Sequence, residues 1–207
     1  MTKSVTQYIA VLADAVGSRR LAAPARQALQ DQLRATLTAA NRKWHSAIAA
    51  RFAITLGDQL EGLLAADAPL WDIIHYLRAE LDGDWIIACG RGPLSTAPGP
   101  SVLELDGPCF HEAREALERA KKERLVLAFG GYDDIAEAFG AYYSALYWTW
   151  TRRQREAAAL LRTMEPAGVA ERLGVDRSAI SHLTRRISWQ QVAEGDAAFR
   201  KYLEEVA

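Results

Sequence analysis

The segment Ala167–Ile187 constrains this chain more than any other, because it reads as two short helices joined by a tight turn. Ala170 is small, as a residue must be where a second helix crosses closely, and Gly174 follows four residues later. Glycine takes the positive φ that a helix C-terminus and sharp turn require. Val175 and Ile180 are spaced as apolar plugs between the two helices, and Leu183 continues the buried stripe. Asp176 is suited to cap the second helix, its carboxylate accepting a bond from an otherwise unpaired amide. That helix then turns Arg177, Ser178, Ser181, His182, Arg185 and Arg186 outward. The pattern is that of a helix-turn-helix whose second helix enters the major groove of double-stranded DNA. An ordinary helical hairpin with a glycine turn is the plainer alternative.

Charge supports a polyanionic partner locally, not globally. The net charge of the 207 residues is −1, yet from 152 to 186 the balance is basic. Arg152, Arg153, Arg155, Arg162, Arg172, Arg177, Arg185 and Arg186 stand there against Glu156, Glu165, Glu171 and Asp176, a surplus of four. A phosphate-contacting module needs such a surplus. Half of the residues are hydrophobic, enough for a sizeable core. The N-terminus lacks a basic-then-apolar leader, and no apolar run reaches the roughly 18 residues of a membrane span. A cytoplasmic chain away from the membrane is expected. Cys89 and Cys109 lack metal-ligand spacing and read as buried free thiols, and His45, His75, His111 and His182 form no ligand set.

Before the arginine-rich region the pattern alternates between strands and helices. Strands are predicted at 8–13, 52–56, 60–64, 85–90 and 125–129, with helices over 24–45, 69–81 and 109–123. The order gives an α+β sandwich of ferredoxin-like type, with a hairpin whose tip is Gly57-Asp58-Gln59. From Asp133 to Met164 the spacing predicts one long helix, with Phe139, Tyr143 and Tyr147 four residues apart, as are Tyr142, Leu146 and Trp150. Most of these rings are expected in the core and the rest on a dimerisation face of a homodimer. Residues 188–207 predict a small capping pair of helices. The domains expected are 1–132, a linking aromatic helix 133–150, and a helix-turn-helix domain 151–207.

Asp14 closes the first strand and Asp58 sits at the hairpin tip, on a strand that lies beside the first in such a sheet. Two carboxylates there can hold Mg²⁺, with substrate phosphates completing the octahedron. The plainer reading makes Asp14 a helix cap and Asp58 a turn residue. Gly90-Arg-Gly92 lacks the full glycine fingerprint of a dinucleotide loop and is followed by Pro93.

Four segments together, 14–19, 54–58, 90–96 and 106–114, followed by the helix-turn-helix, resemble the SatD family. The resemblance brings no established activity with it. The same segments are similar, more distantly, to class III nucleotidyl cyclases and GGDEF-type cyclases. That likeness implies a cyclase-like sandwich with Asp14 and Asp58 on a metal, Arg114 on transferring phosphates, and a nucleotide as ligand. Phe110 stands where those enzymes carry an asparagine, and no purine-selecting Lys/Asp pair is evident. The leading expectation is therefore a DNA-binding transcriptional regulator whose cyclase-like domain senses a ligand or dimerises. The alternative is a Mg²⁺-dependent nucleotide-binding or cyclase-like enzyme.

Overall fold

A computed structural model of the chain describes residues 6–207 apart from Leu56 and the side chain of Arg19. Leu56, the expected end of the second strand, therefore lies outside the described residues. In order the elements are β1 (Tyr8–Ala15), α1 (Ala23–Lys43), β2 (Ile48–Ile54), β3 (Gln59–Ala65), α2 (Leu70–Glu80), β4 (Trp85–Gly92) and α3 (Pro108–Glu123). There follow β5 (Leu127–Gly130), α4 (Asp134–Thr149), α5 (Arg152–Leu161), α6 (Pro166–Leu173), α7 (Arg177–Arg186) and α8 (Trp189–Glu205).

The strands form one mixed sheet in the order β2-β3-β1-β4-β5, parallel only between β4 and β5. The first four follow the order that a βαββαβ connectivity produces. β1 is central, which explains its unbroken apolar run: Ile9 through Ala13 are all buried, as a strand covered on both faces requires. On one face Ala10, Leu12, Leu63 and Ala88 pack under α3, through Phe110, Ala113 and Leu117. The short turn at Val102 and Leu105 joins the same cluster beside Ala50. Leu33, Leu37 and Ala40, the buried apolar residues of α1, do not belong to it.

Contacts divide the chain into two compact units. One takes the chain up to Ala68 and then Leu81–Ala145; the other takes Pro69–Glu80 and Leu146–Ala207. The division differs from cuts at 132 and 150, because α2 belongs with the C-terminal helices although it lies in sequence between β3 and β4. Its apolar surface faces them: Trp71 meets the Phe199 ring edge-on at 5.1 Å, and Ala79 packs with α5–α7 residues. Arg172 pairs with Glu80 at 3.2 Å, and Arg200 pairs with Asp72.

Three expectations about the elements need correction. The helix predicted from 133 to 164 breaks at Thr151, whose hydroxyl accepts the Gln154 amide while the Gln154 side chain accepts the Thr151 amide. That reciprocal box starts a new helix where a periodicity argument continued the old one. The closing pair of helices is one helix, α8, since Gly195 is accommodated inside it. β2 starts at Ile48, four residues before the predicted Phe52. Of the aromatic residues, Tyr143, Tyr147 and Trp150 are buried, whereas Tyr142 is 66% exposed. Cys89 and Cys109 are buried thiols outside any disulfide, and burial pushes the Cys109 thiol up to about 11. Among the described residues no helix is long and apolar enough to cross a membrane.

Two tests follow from packing. A Cβ at Gly90 would stand inside the contact radius of Ala113 N and Cys109 O, both backbone atoms. Gly90→Ala is expected to cost about 3 kcal/mol, the upper end for overpacking. Gly195→Ala, with open space around it, is expected to stabilise by about 0.5–1 kcal/mol. Urea titrations of the two variants should shift in opposite directions.

His75 on α2 is buried, and desolvation, together with the charges of Arg162, Arg78 and Arg200, holds its imidazole well below the ordinary range. The unfolded chain then takes up a proton near pH 6.5 that the folded chain refuses, so stability is lost as pH falls below about 6.5. Asp196 works in the opposite sense, its carboxyl raised by burial against the attraction of Arg162. The fall in melting temperature between pH 7 and 5.5 should flatten in His75→Phe.

Candidate functional site

Asp14, next to last in β1, lies opposite Gln59 of β3 and Ile86 of β4. Its carboxylate is 19% exposed and already has a cation: the Lys121 ammonium lies 3.0 Å from Oδ2, and Gln59 donates from 3.5 Å. Lys121 also reaches Glu118 at 3.0 Å. Burial alone would lower the lysine pKa, but the bonds from Glu118 and Asp14 raise it, so the ammonium is kept charged.

Asp58 addresses a different element. It is half-buried at the hairpin tip and opens, with Gly57, onto a cleft of about 200 Å³ lined by Ser18, Arg26, Leu29 and Gln30. Asp58 thus lies in the turn just before β3, the strand paired with β1, but Asp14 pairs with Lys121 of α3 while Asp58 lines a cleft with α1 residues. Among the described residues no group of three or more His, Cys, Asp or Glu side chains is placed to hold a metal ion.

Among the described residues Arg114 pairs with neither carboxylate. It pairs with Asp106 at 3.5 Å, beside His111 at 3.2 Å from the same carboxylate, and its guanidinium lies over the Phe110 ring at 5.8 Å. The Gly107 amide bond, foremost, and the charges of His111 and Arg114 hold the Asp106 carboxyl below its usual range. Glu61, cross-strand from Leu12, feels Arg114 as well. Burial raises its carboxyl above the ordinary range and the Arg114 guanidinium only partly offsets this. Arg114, Glu118 and Lys121 are four and three residues apart, one side of a helix, and form a ladder of alternating sign.

In the C-terminal helices the turn expected from the sequence is present. Gly174 closes α6 in the left-handed region at φ 62°, and the Val175 amide donates to the Ala170 carbonyl at 3.0 Å. Ile180 is buried against Val169 and Ala170, with Val175 and Leu183 partly buried beside it. Asp176 takes the cap position with extended backbone, but its side chain makes no capping bond; its carbonyl accepts the Ala179 amide instead. Arg177, Ser178, Ser181, His182, Arg185 and Arg186 are all exposed, and among the described residues the three arginines make no ion pair.

A comparison of sequence patterns settles the lineage of this arrangement: the model of the SatD family matches residues 8–124, more than half of the chain. The chain belongs to the SatD family. The matched region of this SatD-family chain runs from β1 to the C-terminus of α3 and contains Asp14, Asp58, Glu61, Arg114 and Lys121; α4–α8 lie beyond it. No curated protein matches the chain. Among solved structures it is similar to a bacterial light-regulated adenylyl cyclase, with 15% identity over 61% of this chain and 76% of that one, at a TM-score of 0.44. It is also similar to the dimeric guanylyl cyclase domain of the RhoGC fusion protein from the aquatic fungus Blastocladiella emersonii. That match has 15% identity over 55% and 74% of the two chains, at a TM-score of 0.40.

Sequence reasoning missed Glu61, Gln59, Lys121 and Arg26 in this SatD-family chain. One signal existed for Glu61, an acid interrupting an apolar strand between Leu60 and Leu63. Lys121 carried none, since a lysine in the last turn of a helix is ordinary.

Proposed function

We propose that this SatD-family protein is a DNA-binding regulator and that α7 is its recognition helix. One observation carries the reading. Half of the arginines in 152–186 are used internally. Arg153 pairs with Glu156 and caps the Leu173 carbonyl, and Arg155 donates to the Trp150 carbonyl between two aromatic rings. Arg162 pairs with Asp196 at 2.7 Å, and Arg172 with Glu80. Arg177, Arg185 and Arg186 stay exposed on one short helix, with Ser178, Ser181 and His182. Arg177, Ser178 and Ser181, near the N-terminus of α7, are assigned to base edges, with Arg185 and Arg186 on phosphates. A good arginine–guanine pair discriminates by about 1–3 kcal/mol. Exposed Ile135 and Tyr142 on α4 suit a homodimer that would read two half-sites.

Gel-shift and anisotropy titrations on fragmented genomic duplex test this. Arg177→Ala plus Arg185→Ala should weaken binding at least roughly tenfold and reduce the salt slope by about one. Lys201→Ala, on α8, should change neither. Unaltered affinity in the double variant overturns the reading.

A second reading rests on the cleft at Asp58. Arg26 and Ser18 offer donors for a phosphate and Asp58 an oxygen for Mg²⁺, so a nucleoside triphosphate is the ligand class that fits. Asp14 could join only after Lys121 lets go of it. Calorimetric titration with Mg²⁺ and each NTP should give binding that Asp58→Ala abolishes and Lys121→Met tightens. Pyrophosphate release, assayed alongside, separates a sensor from a cyclase-like enzyme. Titrations without heat for any NTP remove this reading.

A further inference from the structure

α1 gives the sheet unit a basic surface of its own. Arg26, Arg34, Arg42 and Lys43 stand in it against one acid, Asp31, in a chain whose net charge is −1. All five are exposed, whereas Leu33 and Leu37 of the opposite face are buried. Arg34 pairs with Asp31 at 2.9 Å, with 59% and 61% exposure, and an ion pair so open to water holds weakly. Arg34 can therefore exchange Asp31 for a stronger anion at little cost. Arg42 has no ion-pair partner among the described residues. Between the two arginines runs a shallow trough of about 410 Å³, lined otherwise by Ala35, Thr38 and Ala39. The Thr38 hydroxyl donates to the Arg34 carbonyl at 2.8 Å, so the trough offers two guanidinium groups and little bulk between them.

We propose that this face of α1 binds the phosphate backbone of duplex DNA without reading its sequence. Arg34 and Arg42 are two turns apart, about 12 Å along the helix axis. A duplex carries one charge per about 1.7 Å, so both guanidinium groups meet phosphates at once. The small residues between them let the backbone approach, and none is long enough to reach a base edge. An anionic membrane fits less well, because no large apolar side chain of α1 is exposed to enter it. A protein partner fits less well too, since the trough lacks an aromatic anchor. The inference goes beyond the reading of α7 and does not rest on it.

Anisotropy titrations of the full-length chain against a short duplex of scrambled sequence, at several salt concentrations, test it. Arg34→Ala plus Arg42→Ala should lower the slope of log affinity against log salt by about two and weaken binding at least roughly tenfold. Arg34→Lys plus Arg42→Lys keeps both charges and should retain most of the slope. Asp31→Asn removes the competing acid and should tighten binding. Alanine suits a helix, so an unchanged melting temperature in the alanine pair separates lost binding from lost fold. The drop should recur in an Arg177→Ala plus Arg185→Ala background, which reads failure of α1 and failure of α7 separately. An unchanged slope in the alanine pair overturns the proposal. So does a loss confined to binding of phosphatidylserine vesicles, with DNA affinity intact.

Discussion

Everything in the sheet unit depends on how closely α3 can lie on β4. At Gly90 no side chain stands between the strand and the backbone of Cys109 and Ala113. Gly130 lets β5 approach Glu112 in the same way. Close approach is a packing device with a directional consequence. With α3 seated over β4 and β5, its next side, Arg114, Glu118 and Lys121, comes over the β1 and β3 residues Asp14 and Glu61. The charge ladder is therefore a product of two missing Cβ atoms. A larger residue at position 90 would lift the helix and disperse the ladder before any charge was touched.

The helical unit is organised by where its arginines go. Arg162 is buried between Trp150 and Trp189 and is satisfied by Asp196, with 6% and 13% exposure for the pair. Breaking such a pair from one side typically costs about 3–5 kcal/mol, because the remaining charge is stranded in a poor dielectric. Arg172 and Arg200 hold the two ends of α2 by its acids Glu80 and Asp72. Burial foremost, with the charges of Arg162, Arg78 and Arg200, keeps His75 neutral. Among the described residues Arg177, Arg185 and Arg186 of α7 stay exposed and make no ion pair.

Much of the architecture was legible because it is local. The glycine turn at 174, the apolar plugs and the outward face of α7 all follow from residues within about ten positions of one another. The strands of β1, β3 and β4 were legible from apolar runs bounded by turns. Thr151 was misread for a local reason too: a capping box inside an aromatic repeat looks like continued helix unless Thr151 and Gln154 are read together. The Asp176 side chain, which fits a cap by residue type, leaves that work to its backbone.

The sequence by itself determined the strand–helix alternation of the first 130 residues, the helix pair with its basic outer face, and the acids at Asp14 and Asp58, since each rests on short-range pattern. Only the tertiary structure decided that Lys121 neutralises Asp14 from 107 positions away, and that Asp58 faces Arg26 and Ser18 instead. It also decided that α2, which ends at Glu80, belongs with the chain from Leu146 onward. Side-chain periodicity says which face of an element is apolar; it does not say which distant partner will cover that face.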